Sequence, residues 1–179
     1  MKQILIQYTK EQIKKAGLIK AIFFDVDGVL TDGKIIHDNT GNEIRQFNVK
    51  DGYIFSYLKK IGIIVGIITG QDSKVVSNRA AELKLDFCHQ DIVDKLEVFE
   101  KLIDFYKLKK KQVAYIGYDI NDLGVLKNCG LSVCPADSLS YVKDKVDLVA
   151  NAKAGQGVVR EVADLVLAAR GEMEKILKS

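Results

Sequence analysis

Short runs that are apolar throughout alternate along this chain with stretches in which apolar residues return every three or four positions. The uniform runs fall at 19–24, 63–69, 112–116 and 131–134, with a weaker one at 146–150. The stretches with helical spacing fall near 52–61, 73–84, 94–107, 121–128, 138–144 and 156–169. A strand buried on both faces has no polar side to show, so uniform runs alternating with amphipathic helices predict a parallel sheet covered on both faces. The fold class predicted is α/β, a doubly wound, Rossmann-like parallel sheet. Ahead of the first strand, Thr9-Lys10-Glu11-Gln12 has the form of a capping box, so a short helix opens there and stops at Gly17.

One segment breaks this rhythm. Residues 34–38 and 43–49 are β-like runs joined by Asn39-Thr40-Gly41, a sequence suited to a tight turn. They predict a β-hairpin inserted directly after the first strand. No internal repeat, low-complexity stretch or interdomain linker interrupts the rest.

Composition narrows the classes without choosing among them. The 179 residues suit one domain with a sizeable core, and a formal charge of +3 is too mild to argue for nucleic acid. The longest apolar stretches are far too short to span a bilayer, and the N-terminal segment lacks the apolar core and cleavage site of a signal peptide. Cys88, Cys129 and Cys134 match no metal-ligand spacing and read as reduced, mostly buried thiols of a cytoplasmic protein.

The candidate chemistry lies where the strands end. In an open parallel sheet, ligands bind beyond the carboxyl ends of the strands. There the chain places Asp25-Val26-Asp27-Gly28-Val29-Leu30-Thr31-Asp32-Gly33, then Thr69-Gly70, then Gly117-Tyr118-Asp119-Ile120-Asn121-Asp122, with Lys95 opening a helix. Carboxylates from two strand ends can converge on one hard cation through oxygen ligands. Aspartates in such places also serve in turns and helix caps, and for Asp119 or Asp122 taken alone both readings stand.

These residues, in this order, resemble the haloacid dehalogenase superfamily, and within it the small phosphatases of 3-deoxy-manno-octulosonate 8-phosphate. The likeness runs from about residue 19 to 171. It includes Asn48-Val49-Lys50-Asp51-Gly52-Tyr53, Ile67-Ile68-Thr69-Gly70, Arg79, Lys95, Ala114-Tyr115-Ile116-Gly117 and Gly155-Gln156-Gly157-Val158-Val159-Arg160-Glu161. It implies a single phosphatase domain over residues 1–179, with a hairpin flap at about 34–49 and no helical cap. By the same resemblance the reaction is magnesium-dependent hydrolysis of a sugar-acid phosphate, in bacterial surface-polysaccharide synthesis. Asp25 would be the nucleophile and a metal ligand. Asp27 would be the general acid and base, its backbone carbonyl reaching the metal, and Thr69 and Lys95 would hold the phosphoryl oxygens. Gly70, Lys50, Arg79 and Arg160 are candidates for substrate binding, although the three cations read equally well as solvated surface charges.

Two positions depart from the family. Its third motif, Gly-Asp-Asp-x-x-Asp, begins with a side-chain metal ligand where this chain has Tyr118, leaving Asp119 or Asp122 to take that place. Gln71 stands where the eight-carbon enzymes commonly carry arginine and related nine-carbon, sialic-type phosphatases carry glutamate. His37 and His89 match no catalytic motif and read as packing or surface residues. Capless members of the family form tetramers in which hairpins cover neighbouring sites. Ile35, Ile36, Ile44 and Phe47 need burial, against their own domain or a partner, so a homotetramer is expected. A non-catalytic assembly module that kept the fold is the competing reading; Tyr118 favours it, and retention of Asp25, Asp27, Thr69 and Lys95 opposes it.

Overall fold

In the computed structural model, which describes residues 2–178, the central strand β1 (Ala21–Phe24) is buried along its whole length. Its side chains alternate between two cores, Ile22 and Phe24 into one and Ala21 and Phe23 into the other. Before it come α1 (Lys2–Leu5) and α2 (Lys10–Ala16). After it the chain forms a small hairpin, β2 (Ile36–His37) and β3 (Glu43–Ile44), then α3 (Val49–Lys60), β4 (Ile64–Ile68), α4 (Lys74–Glu82) and β5 (Phe87–His89). The second half runs α5 (Lys95–Phe105), β6 (Val113–Ile116), α6 (Leu123–Leu126), β7 (Leu131–Cys134), α7 (Ser140–Lys143), β8 (Leu148–Val149), α8 (Val158–Ala169) and α9 (Met173–Lys178).

The main sheet is parallel throughout, in the order β5-β4-β1-β6-β7-β8. From β1 the chain builds outward through β4 to β5, then crosses back to β6 and builds the other way. The loops leaving β4 and β6 therefore diverge around the end of β1, and a crevice opens there. One face of the sheet is covered by α8, whose buried Val159, Val162, Leu165, Val166 and Leu167 pack with α1, α2 and α3. Burying an aliphatic side chain of that size contributes about 1.5–3 kcal/mol. Phe99, Leu102 and Ile103 of α5 and Val125 and Leu126 of α6 cover the other face. Gly66 in β4 is needed for packing: a Cβ there would come within 2.4 Å of the Phe87 ring on the neighbouring strand.

The predicted doubly wound sheet is present, with differences in detail. The Thr9 capping box forms as predicted, Thr9 Oγ1 accepting from Gln12 N at 3.2 Å and Gln12 Oε1 from Thr9 N at 2.9 Å. A sixth strand of the main sheet, β5, went unpredicted because its three residues, two half-buried and His89 exposed, make no apolar run. Helices α1 and α9 were also unpredicted. The hairpin pairs over two residues a side, not over 34–38 and 43–49. Its turn is set by Asp38, whose carboxylate accepts from the main-chain N–H groups of Thr40 and Asn42, both at 2.8 Å. The second run leaves the ladder after Ile44, and Asn48 caps α3, which opens at Val49 rather than near 52. Of the three free thiols only Cys134 is fully buried; Cys88 and Cys129 are partly exposed. Among the described residues no helix is long and apolar enough to cross a membrane.

One buried charge ties the flap side of the molecule to α8. Asp51 in α3 is 2% exposed, and its Oδ1 accepts from Arg160 N at 2.8 Å in the first turn of α8. Its other oxygen, Oδ2, is buried without a partner. Burial pushes this carboxyl up to about 6, against the pull of the helix N–H groups and of Arg160. The folded state thus favours the protonated form more than the unfolded chain does. The resulting stability is full below the unfolded value near 4 and is lost as pH rises through about 6. Thermal melts from pH 4 to pH 8 should therefore show Asp51→Asn gaining on the parent as pH rises, on the order of 2–3 kcal/mol by pH 8. A pH-independent difference between the two proteins would remove Asp51 as the titrating group.

Candidate active site

The loop that leaves β1 turns back at once, because the carbonyl of Val26 accepts from the N–H groups of Val29, Leu30 and Thr31. That turn holds Asp25 and Asp27 over the end of the strand. Asp25 is 6% exposed; its Oδ1 accepts from Val26 N at 2.7 Å, and its Oδ2 lies 2.7 Å from Lys95 Nζ. Lys95, the first residue of α5 after the N-cap Asp94, is itself 1% exposed. Its ammonium also meets Asp122 Oδ1 at 2.8 Å. A lysine this deeply buried stays charged because two carboxylates flank it, and they raise its pKa against the desolvation that lowers it.

Asp122 does not face the cleft. Its Oδ1 accepts from Lys95 and from the Tyr115 hydroxyl at 2.7 Å, and its Oδ2 from the main-chain N–H groups of Tyr118 at 2.8 Å and Asp119 at 3.1 Å. All four acceptor positions of the carboxylate are in use, so Asp122, expected among the metal ligands, has no oxygen left for a cation in this arrangement. It anchors Lys95 instead. The Asp25–Lys95–Asp122 group carries one negative charge in excess. Burial and the nearby Asp122 push the Asp25 carboxyl up to about 6, against the pull of Lys95.

In front of Asp25 lies a cleft of about 640 Å³, lined among others by Asp27, Thr69, Gly70, Gln71, Tyr118 and Asp119. The structure thus brings Asp25, Asp27, Thr69, Gly70 and Asp119 to one space, with Lys95 directly behind Asp25. It does not bring Lys50, Arg79 or Arg160 there. Arg79 pairs with Glu82 and Arg160 with Asp164, each at 2.8 Å, and Lys50 is exposed on α3. Among the described residues, the lysine or arginine that does line the cleft is Arg45, which no motif singled out. Its Nη2 lies 3.2 Å from Asp27 Oδ2 and 2.8 Å from Glu43 Oε1. His37, read as a bland residue, also borders the cleft from the hairpin. Tyr118 lays its ring on Gly28, where a Cβ would sit 2.4 Å from the ring. Gly28 also has φ of 79°, so both the backbone and the neighbour call for glycine there.

Comparison with known proteins identifies the family. The 3-deoxy-D-manno-octulosonate 8-phosphate phosphatase KdsC of Yersinia pestis is 40% identical over 162 residues, 90% of this chain and 87% of that one. The chain belongs to the haloacid dehalogenase-like hydrolases, among the KdsC phosphatases. The family described as haloacid dehalogenase-like hydrolase matches residues 85–162 directly. KdsC of Escherichia coli K12 is 39% identical over 91% of this chain and 87% of its own. The crystal structure of the Yersinia pestis phosphatase superposes with a TM-score of 0.91 at 39% identity, covering 93% of this chain and 90% of that one. That of the Moraxella catarrhalis phosphatase, in complex with magnesium ion, phosphate ion and KDO, superposes with a TM-score of 0.92 at 34% identity, covering 96% and 98%.

Membership in these hydrolases implies a divalent cation, and the donors present can be tested against it. Asp25, Asp27 and Asp119 line the cleft and offer it oxygens, beside a buried group with negative charge in excess; Asp32, Glu43 and His37 line it as well. Among the described residues no three His, Cys, Asp or Glu side chains converge closely enough to hold an ion alone. Magnesium commonly takes one or two carboxylates and completes its shell with water and phosphate oxygens. The set fits such an ion, with one carboxylate fewer than the family motif carries because Tyr118 is a neutral phenol.

The balance around Lys95 can be tested without substrate. Lys95→Met should cost about 3–5 kcal/mol in urea unfolding at neutral pH, because it strands two buried carboxylates. Adding Asp25→Asn and Asp122→Asn to that variant should recover most of the loss. A triple variant as unstable as Lys95→Met would show that packing, not charge, dominates there.

Proposed function

We propose that this chain hydrolyses a sugar-acid phosphate, 3-deoxy-D-manno-octulosonate 8-phosphate, by way of a phosphoryl group held on Asp25. The observation that carries the reading is the buried Asp25–Lys95 contact of 2.7 Å at the floor of a cleft bordered by Asp27, Thr69 and Gly70. The relatives compared support the eight-carbon substrate, being named for it, and give no support to the nine-carbon alternative.

Asp25 attacks phosphorus through a carboxylate oxygen, and Asp27 gives its proton to the departing sugar alkoxide. The aspartyl phosphate is then hydrolysed by a water from which Asp27 takes a proton. Lys95 and the Thr69 hydroxyl hold charge on the transferring oxygens, and the main chain at Gly70 leaves room for them. Magnesium, held by Asp25, the Asp27 carbonyl and Asp119, would screen the repulsion between the nucleophile and the phosphate. The working form is a cytoplasmic homotetramer of one-domain subunits, engaged in bacterial surface-polysaccharide synthesis. The exposure of Ile35, Ile36 and Ile44 on the hairpin supports assembly, since a partner would cover them. Lys50, Arg79 and Arg160 do not line the cleft of one subunit and would meet substrate where a neighbour is docked.

Asp25→Asn should lower release of phosphate from the sugar-acid phosphate to background while the circular dichroism spectrum and the melting temperature are retained. Near-parental release would end the proposal. Tyr118→Asp should tighten magnesium binding about tenfold or more, read by calorimetry with the metal alone, because a carboxylate replaces a phenol beside the cation. Unchanged affinity would mean that the loop already supplies a full site. Charged replacements of Ile35 and Ile36 should shift sedimentation toward smaller species, and a parent that is monomeric throughout would refute the tetramer.

A further inference from the structure

The hairpin does more than border the cleft, because its one buried cation reaches the residue read above as the acid. Arg45 is 7% exposed along its side chain, and a single nitrogen, Nη2, bridges Asp27 Oδ2 at 3.2 Å and Glu43 Oε1 at 2.8 Å. Glu43 is braced in turn: its Oε2 accepts a short hydrogen bond from the hydroxyl of Ser73, the N-cap of α4. On the opposite side the Thr31 hydroxyl donates to Asp27 Oδ1 at 3.2 Å. Asp27 is thus gripped at both oxygens, one by its own loop and one by the hairpin. The line Ser73–Glu43–Arg45–Asp27 crosses the mouth of the cleft, from the loop after β4 to the loop after β1.

We propose that Arg45 is a positioning residue, which fixes the direction of the Asp27 carboxyl so that seating the hairpin and aligning the acid are one event. This rests on the reading of Asp27 as general acid. A proton donor must sit within a few tenths of an ångström of its working place, and a carboxyl on a short loop holds that place only if both oxygens are restrained. The guanidinium itself is not optimised for stability, since Nη1 is buried without a partner. An unmet buried donor is costly, and folding tolerates it at the wall of the cleft. Arg45 touches neither Asp25 nor Lys95 in the contacts observed, so its effect on the reaction passes through Asp27.

The test compares two leaving groups in the first step, read as pre-steady-state release of the alcohol, because there an acid matters for a sugar alkoxide and little for nitrophenolate, whereas the second step needs Asp27 for both. Arg45→Met should slow that first step on the sugar-acid phosphate by about 10- to 100-fold, with KM within about threefold and the first-step rate on nitrophenyl phosphate within about threefold. Arg45→Lys should recover part of the loss, and Glu43→Gln, which leaves Arg45 in place but unbraced, should show the same pattern more weakly. In an Asp27→Asn background Arg45→Met should cost nothing more. Equal losses on both leaving groups in the first step would assign Arg45 to the architecture of the flap and overturn the proposal. So would a raised KM with kcat intact, which would mean that Arg45 grips the substrate. Asp27→Asn alone separates the two readings. If it spares the sugar-acid phosphate, the acid assignment falls and takes the proposal with it. If it is selective for the alkoxide and Arg45→Met is not, only the role of Arg45 falls.

Discussion

Removing an ammonium group from water costs several kcal/mol, and Lys95 bears that cost beneath the floor of the cleft. It is offset by two carboxylates brought from different parts of the chain, Asp25 at the end of β1 and Asp122 after β6. Asp122 can serve only because Tyr115 and the main chain of the 117–120 loop occupy its remaining acceptor positions. Three elements, β1, β6 and α5, are thereby locked to one another at the point where the sheet reverses its direction of growth. A site built this way arises from the same contacts that hold the topology, and its position cannot drift without unpairing a buried charge.

That constraint explains a division of labour among the carboxylates. Asp122 spends both oxygens on structure, whereas Asp25 keeps an excess of negative charge and a raised pKa beside the open space. A group left undercompensated at a cleft is what a cationic ligand and an anionic substrate together would satisfy. Tyr118 weakens one side of that balance, since its ring packs on Gly28 where a further carboxylate would have added charge.

The hairpin obeys a different logic. Two residues a side make too short a ladder to be stable alone, and three of its isoleucines remain partly or largely exposed. It is held at the cleft by charge, through Arg45 and Glu43, while Ile35, Ile36 and Ile44 stay exposed beside it. The cations marked by resemblance, Lys50, Arg79 and Arg160, do not line the cleft.

The sequence by itself determined the α/β class, five of the six strands of the main sheet, the Thr9 cap and the gathering of Asp25, Asp27 and Thr69 at strand ends with Lys95 at the start of a helix. These follow from local rules: short uniform apolar runs between amphipathic helices suit strands covered on both faces, and in a parallel sheet their carboxyl ends share one edge. Strand β5 escaped because three residues, two half-buried and one exposed, make no pattern, and α3 began early because Asn48 supplied a cap inside a β-like run. Only the tertiary structure decided that Asp122 is an anchor with no free oxygen and that Arg45 is the cation in the cleft. Neither could be read from spacing, since the partners of Asp122 include a lysine 27 residues away and those of Arg45 a carboxylate in another loop. Which oxygen of a carboxylate stays free depends on every donor that folding brings within about 3 Å, and that is a property of the packed chain.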